Sequence, residues 1–453
     1  HLLRAQGYYT AYKGKWHMHH MRDDPGLIYG TYPSTRDALE IFGFSDYNLD
    51  GDPHGSTWTG YRYDAQIASN ACQWLAGKGK ELNGAKPWFL AVNFVNPHDI
   101  MYFSAGRKQE STRLRRDTLS PIAEPPVGGV YDKVWDLPLP RSFYKADVTA
   151  KPWAQRSYID FCSMLYGHLA PDDEAGWRAY QSYYFNCIRD VDSRVLTVLD
   201  TLEKLGMTGD TIVIYTADHG EMAGAQKMRQ KGPHMYRENV RVPFIVRHPD
   251  VSGGVTSEAL ACCLDLTPTV LGLAGVDPKA AAEKYPFLKG VDVGAAIASP
   301  KARTERDRRG ILFNYGTPLY IDPEFTRKGI QADKASPALA ALAVGMRTGQ
   351  FRPSLQNPGL FRGIHDGRYK FARYFKPAEH HIPKDWDTLT RHNELELFDT
   401  QNDPDELNNL ALAPEKNKDL LLDLSARTNA LIAKEVGEDR GAEFPGPAWM
   451  YNL

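Results

Sequence analysis

The stretch from Thr211 to Pro249 constrains the fold of this chain more than any other. It opens with Thr211-Ile212-Val213-Ile214-Tyr215, a β-branched run suited to a parallel strand covered on both faces. Just before it, Tyr184, Ile188, Val191, Val195, Val198, Leu202 and Leu205 recur at steps of four and three, and Gly206 ends the stripe. Helix, short turn and strand make the crossover unit of a parallel sheet. In such sheets ligands collect at the carboxyl ends of strands, and there this chain carries Asp218 and His219, followed by Gly220. A carboxylate oxygen and an imidazole nitrogen are both donors to a divalent cation. The same three residues also suit a plain loop leading into a helix. Lys231-Gly232-Pro233-His234 then reads as a flexible cationic turn able to approach an anion, and Val242 to Val246 as a second buried strand.

Two further strands end in residues of the same character. Tyr8 to Tyr12 is β-prone and runs into Lys13-Gly14-Lys15-Trp16-His17, where a cation and a proton donor can face one space. Pro87 to Val95 is the clearest strand in the chain, and Asn96-Pro97-His98-Asp99 follows it, with proline fixing the turn that presents His98. His19 and His20 read as loop. Tyr63 to Lys78 has the apolar spacing of an amphipathic helix, whereas Arg22 to Tyr63 reads as loop-rich covering structure with a short helix from Ser34 to Ile41. Residues 101–180 form a long, weakly periodic insertion, expected near a substrate pocket, with Arg113 to Arg116, Trp135, Trp153 and Asp99 as candidate lining.

Beyond Pro249, Thr267 and Pro268 mark a helix start, and the charged run from Ser299 to Arg309 reads as a linker. Short strands are expected at 311–315, 343–348, 361–365, 369–375 and 395–399, with a hairpin at Asp366-Gly367 and a last helix from Pro414 to Lys434. The architecture expected is therefore α/β: a large mixed, mainly parallel sheet sandwiched by helices over residues 1–305, and a smaller C-terminal α+β subdomain over 306–453.

The 453 residues carry a formal net charge of -2, which argues against a general nucleic-acid or membrane-surface binder. No apolar run reaches the roughly 18 residues of a membrane span. The five cysteines show no metal or disulfide spacing and read as free, buried thiols.

Taken together and in order, these strand ends resemble the type I, formylglycine-dependent sulfatases of the alkaline-phosphatase-like superfamily. The resemblance rests on the run from Gly7 to His17, Asn96 to Asp99, Thr216 to Glu221, Lys231 to Tyr236, Val242 to Val246, Asp265 to Thr269, and Leu397 to Leu410. It implies a divalent metal, calcium first and manganese as the alternative, held in part by Asp218 and His219. It implies that Lys15, His98 and Lys231 hold sulfate oxygens and that His17 assists turnover. His98 or Lys231 would protonate the leaving oxygen, while Asp99 and His234 would reach the substrate, a small-molecule or carbohydrate sulfate ester. The family's Cys/Ser-x-Pro-x-Arg signature and its Asp-Asp pair do not occur in these 453 residues. Thr31 to Arg36 has the wrong spacing and order, and Asp23-Asp24 follows no strand, so both elements are expected in a segment preceding His1. A phosphonate or phosphate ester hydrolase of the same superfamily, and a non-catalytic anion-binding homologue, stand as alternatives. Compartment and oligomeric state stay open.

Overall fold

A computed structural model describes residues 1–18, 38–49, 51–106, 109, 122–332, 344–379, 382–438 and 450. The described structure is mixed α/β. Strand β1 (Tyr9–Gly14) pairs in parallel with β2 (Trp88–Asn93), in a register that sets Gly14 opposite Asn93. Helix α1 (Thr59–Trp74) supplies the crossover between them, and α2 (Trp153–Tyr166) and α3 (Glu174–Lys204) follow. Asp173 caps α3 by accepting from the Gly176 N–H.

The Thr211 region departs from expectation. β3 (Val213–Thr216) pairs antiparallel with β4 (Phe244–Arg247), and neither is buried on both faces: Ile245 is 61% and Tyr215 40% exposed. Among the described residues no other strand pairs with β3 or β4, and most of their side chains stay partly or fully exposed. Val213 still joins Ala11, Trp74, Leu75, Leu202 and Met207 in one apolar cluster, which ties β3 to β1, α1 and α3.

The described part of the insertion packs against the C-terminal sheet. Its helix α2 buries Ala154, Tyr158, Phe161, Cys162 and Leu165 in the same core as Leu360, Phe361, Ala372, Tyr374 and Phe375 of the C-terminal sheet. The Trp153 N–H donates to Glu394, and Trp135 lies under Lys133 and beside Asn186 of α3. Arg113 to Arg116, His19, His20, Asp23, Asp24 and the Thr31 to Arg36 run lie outside the described residues.

After α4 (Leu266–Leu273), the supposed linker contains helix α5 (Glu305–Arg309), opened by a Thr304–Asp307 capping box. Its Arg306 side chain is fully buried, because the carboxylates of Asp265 and Glu435 neutralise it there. α4 begins one residue ahead of Thr267, and it is Asp265 that accepts the Cys262 and Val291 N–H groups. The C-terminal sheet is antiparallel in the order β5 (Ile311–Tyr315), β6 (Leu360–His365), β7 (Tyr369–Phe375), β8 (Glu394–Asp399), with α6 (Lys418–Glu435) packed on it. The β6–β7 turn falls at Asp366-Gly367, as the sequence predicts. Residues 344–348 are helical rather than extended, and the Thr348 hydroxyl donates back to Val344 and Gly345 carbonyls. All five cysteines are free, and Cys263 is exposed rather than buried. No helix among the described residues is long and apolar enough to cross a membrane.

Candidate active site

The parallel register of β1 and β2 delivers the first cluster. Both strands end at one level, so Lys15 and His17 leave β1 beside the turn that carries His98 out of β2. Gly14 makes the exit: its φ is +104°, and a Cβ there would stand 2.0 Å from the Asn93 carbonyl oxygen. The Lys15 N–H donates to that same oxygen at 2.9 Å, and buried Trp16 anchors the next step. On the β2 side, Asp64 of α1 accepts the Val95 and Asn96 N–H groups at 2.7 and 3.0 Å.

A loop that sequence reasoning treated as covering structure organises this cluster. Asp52 stands 3.2 Å from Lys15 Nζ, 3.2 Å from His17 Nδ1 and 3.0 Å from His54 Nδ1. Burial opposes ionisation of Asp52, but the His54 hydrogen bond and the charges of Lys15, His54 and His17 outweigh it and pull the carboxyl down to about 2. His54 shifts the other way: its bond to Asp52 raises it. His17 is lowered by burial. Asp99, expected at the substrate, is instead 2% exposed. One of its oxygens faces His98 Nδ1 at 2.6 Å, and the other accepts the N–H groups of Gly55 and Ser56, so it is a clamp between the His98 turn and the Asp52 loop.

The second cluster follows β3. His219 Nδ1 faces the Gly220 carbonyl at 2.8 Å and so carries the proton, leaving a lone pair on Nε2. That nitrogen accepts from Lys231 Nζ at 2.8 Å and lies 3.4 Å from Asp218 Oδ2. Burial, and then the Lys231 charge, lower the His219 pKa, and burial lowers that of Lys231. The Asp218 side chain is 83% exposed. The two clusters share one field: Lys15 and Asp52 act on Lys231, and His98 acts on His219 and His17.

The turn that presents Lys231 is packed and hydrogen-bonded along its length. Arg229 and Gln230 are buried within it, and Ala223, Gln226, Lys227 and Gln230 all hold positive φ. Glu221 accepts the Ala223 and Gln230 N–H groups, and Tyr158 of α2 donates to the Lys231 carbonyl. The insertion thus supports Lys231 from below. His234, expected to contact substrate, is 1% exposed between Tyr158 and Tyr236, and neither ring nitrogen has a hydrogen-bond partner. Burial pushes its pKa down to about 3, so it is a neutral, sealed imidazole and not a surface donor.

Asp218 and His219 offer a carboxylate oxygen and an imidazole lone pair to a cation, and the Lys231 ammonium lies against that lone pair as a cationic stand-in. They fit two positions of a coordination sphere. Among the described residues, no cluster of three or more His, Cys, Asp or Glu side chains could hold a metal ion.

The sulfatase family model matches residues 1–276. The chain is 27% identical over 309 residues to a choline-sulfatase of Rhizobium meliloti, covering 65% of this chain and 54% of that one. A solved 2-O GAG sulfatase superposes with a TM-score of 0.60 at 20% identity, over 96% of this chain and 73% of the other. A phosphonate monoester hydrolase of Agrobacterium radiobacter superposes with a TM-score of 0.52 at 19% identity, over 96% and 79%. The chain spans about half the length of the curated relatives it matches. With the family matched through both clusters of strand-end residues, the chain belongs to the sulfatase family.

Proposed function

We propose that this chain carries the anion-binding part of a sulfuric ester hydrolase. The convergence of Lys15, His17, His98, His219 and Lys231 at strand ends supports it: these side chains make a cationic, donor-rich space beside one exposed carboxylate, Asp218. Charge develops on the sulfuryl oxygens and on the leaving oxygen during ester cleavage, so fixed donors there lower the barrier.

In this reading Lys15 and Lys231 hold sulfate oxygens. His98, with Nδ1 committed to Asp99, turns Nε2 to the substrate and holds the proton for the leaving oxygen. His17, held by Asp52, assists release of the sulfate. Asp218 and His219 would hold a divalent cation, which when bound polarises the ester and lowers the pKa of an attacking oxygen. The oxygen-rich family site favours calcium, while the imidazole of His219 favours a manganese-like ion. The formylglycine nucleophile and the remaining carboxylates would come from residues outside this sequence. The substrate is a small-molecule or carbohydrate sulfate ester.

The test compares turnover of an aryl sulfate and an aryl phosphonate by the full-length gene product. Preference for the sulfate is expected, and a higher rate on the phosphonate overturns the assignment. Lys231→Ala should abolish turnover with the thermal transition intact.

A further inference from the structure

His54 was marked by no motif, yet it stands in the middle of the imidazole group. Its ring stacks over that of His17 at 6.1 Å with 8° between planes and meets His98 edge to face at 6.4 Å. Its Nδ1 serves both the carboxylate and the backbone carbonyl of Asp52, at 3.0 and 2.8 Å. That nitrogen therefore carries a proton, and Nε2, on the far side of the ring, bonds to no described residue. His17 and His98 repeat the arrangement, each with Nδ1 on a carboxylate, Asp52 or Asp99. Three neighbouring imidazoles thus have their inner nitrogens fixed by two aspartates. The His54 side chain stays 48% exposed, open to a ligand. With Nδ1–H held by Asp52, whose hydrogen bond favours the imidazolium form, the ring has a second N–H, on Nε2, to give to an oxyanion.

We propose that His54 is a fourth substrate-facing donor of the site, giving a hydrogen bond from Nε2 to an oxygen of the bound sulfate ester, and that Asp52 is the positioning residue that aims His54, His17 and Lys15 together. This rests on the reading of the site as one for sulfate esters. The groups facing His54 are Asp52, Asp99, His17 and His98, and Lys15 shares Asp52 with it, so the loop of Asp52 and His54 and the two strand ends act as one unit.

The test is calorimetric titration of inorganic sulfate into the chain, at pH 6 and low salt, for wild type, His54→Gln, Asp52→Asn and Lys231→Ala. His54→Gln should weaken sulfate binding about 10- to 100-fold, the effect of one hydrogen bond to a charged group, with an unchanged thermal transition. Asp52→Asn should weaken it at least as much. In a ¹⁵N-histidine spectrum the Nε2 signal missing from His54→Gln should move when sulfate is added, which a purely structural histidine would not show. Unchanged sulfate affinity in His54→Gln, with binding lost in Lys231→Ala, overturns this inference alone. Failure of the wild-type chain to bind sulfate overturns the reading of the site beneath it.

Discussion

His98 Nδ1 and Asp99 Oδ1 lie 2.6 Å apart, and the second oxygen of the same aspartate holds the backbone of Gly55 and Ser56. One buried carboxylate therefore fixes the orientation of an imidazole and the position of the loop that bears Asp52 and His54. Asp99→Asn keeps an acceptor for the loop but offers His98 Nδ1 an N–H where it needs an acceptor, so the ring loses the bond that orients it. Sulfate affinity and turnover should fall about 10- to 100-fold, as for other orienting partners of working imidazoles, with the fold retained. Calorimetry and circular dichroism check this. Wild-type affinity in Asp99→Asn would remove His98 from the site.

Gly14 against Asn93 gives a second expectation. An alanine there must hold φ near +104° and place Cβ 2.0 Å from a carbonyl oxygen of the paired strand. Gly14→Ala should cost about 1–3 kcal/mol of stability and weaken sulfate binding as well, because Lys15 must move to relieve the clash. Denaturant unfolding and sulfate titration read the two effects separately.

These contacts show which parts of the site the sequence carries openly. Lys15, His17, His98, Asp218 and His219 closely follow β-prone runs, so local pattern places them at strand ends, while Lys231 shows only in its Lys-Gly-Pro-His turn. Asp52 and His54 belong to a loop with no period, and they matter only because the chain brings Asp52 to Lys15 and His17 from more than thirty residues away. Asp99 and His234 have the right chemistry for a substrate, but burial is set by what packs on them, here the Gly55 loop and the rings of Tyr158 and Tyr236. The insertion looks polar and irregular in sequence. Its helix α2 buries one face under the C-terminal sheet, a partner that only the tertiary fold supplies. The exposed face of β3 and β4 is the converse case, where strands of buried-strand composition keep partly or fully exposed side chains.

Arg306 ties the Asp265 turn to helix α6 through charge. Its guanidinium donates to Asp265 at 2.9 Å and to Glu435 of α6, and Arg309 reaches the same glutamate at 2.8 Å. Arg306→Ala leaves Asp265 buried without its counter-ion and Glu435 with Arg309 alone, and should destabilise by about 3–5 kcal/mol. Replacing Arg306, Asp265 and Glu435 together by apolar residues of similar volume should cost less than that single change. Urea unfolding of the two variants decides it: equal losses would mean that packing, and not the unpaired charge, sets the cost.

Asp64 makes stability depend on pH in a direction opposite to that of a surface carboxylate. It is fully buried, and burial raises its pKa to about 7 from an ordinary 3.8, although the Val95 and Asn96 N–H groups and Arg194 pull it down; the Asp190 charge adds to the rise. Between about pH 4 and pH 7 the folded chain therefore keeps a proton that the unfolded chain has lost. Stability is greatest below the unfolded value and declines as pH rises through the folded one. Asp64→Asn leaves one acceptor for the turn and removes the titration. Its unfolding free energy should fall less steeply than that of wild type across pH 4 to 7. Because Asp64 braces the residues just ahead of His98, the same variant should loosen sulfate binding above pH 7, where the wild-type carboxylate accepts both the Val95 and Asn96 N–H groups and the amide accepts only one. Parallel slopes in the two unfolding series would show that Asp64 is ionised throughout and that its backbone bonds, not burial, govern it.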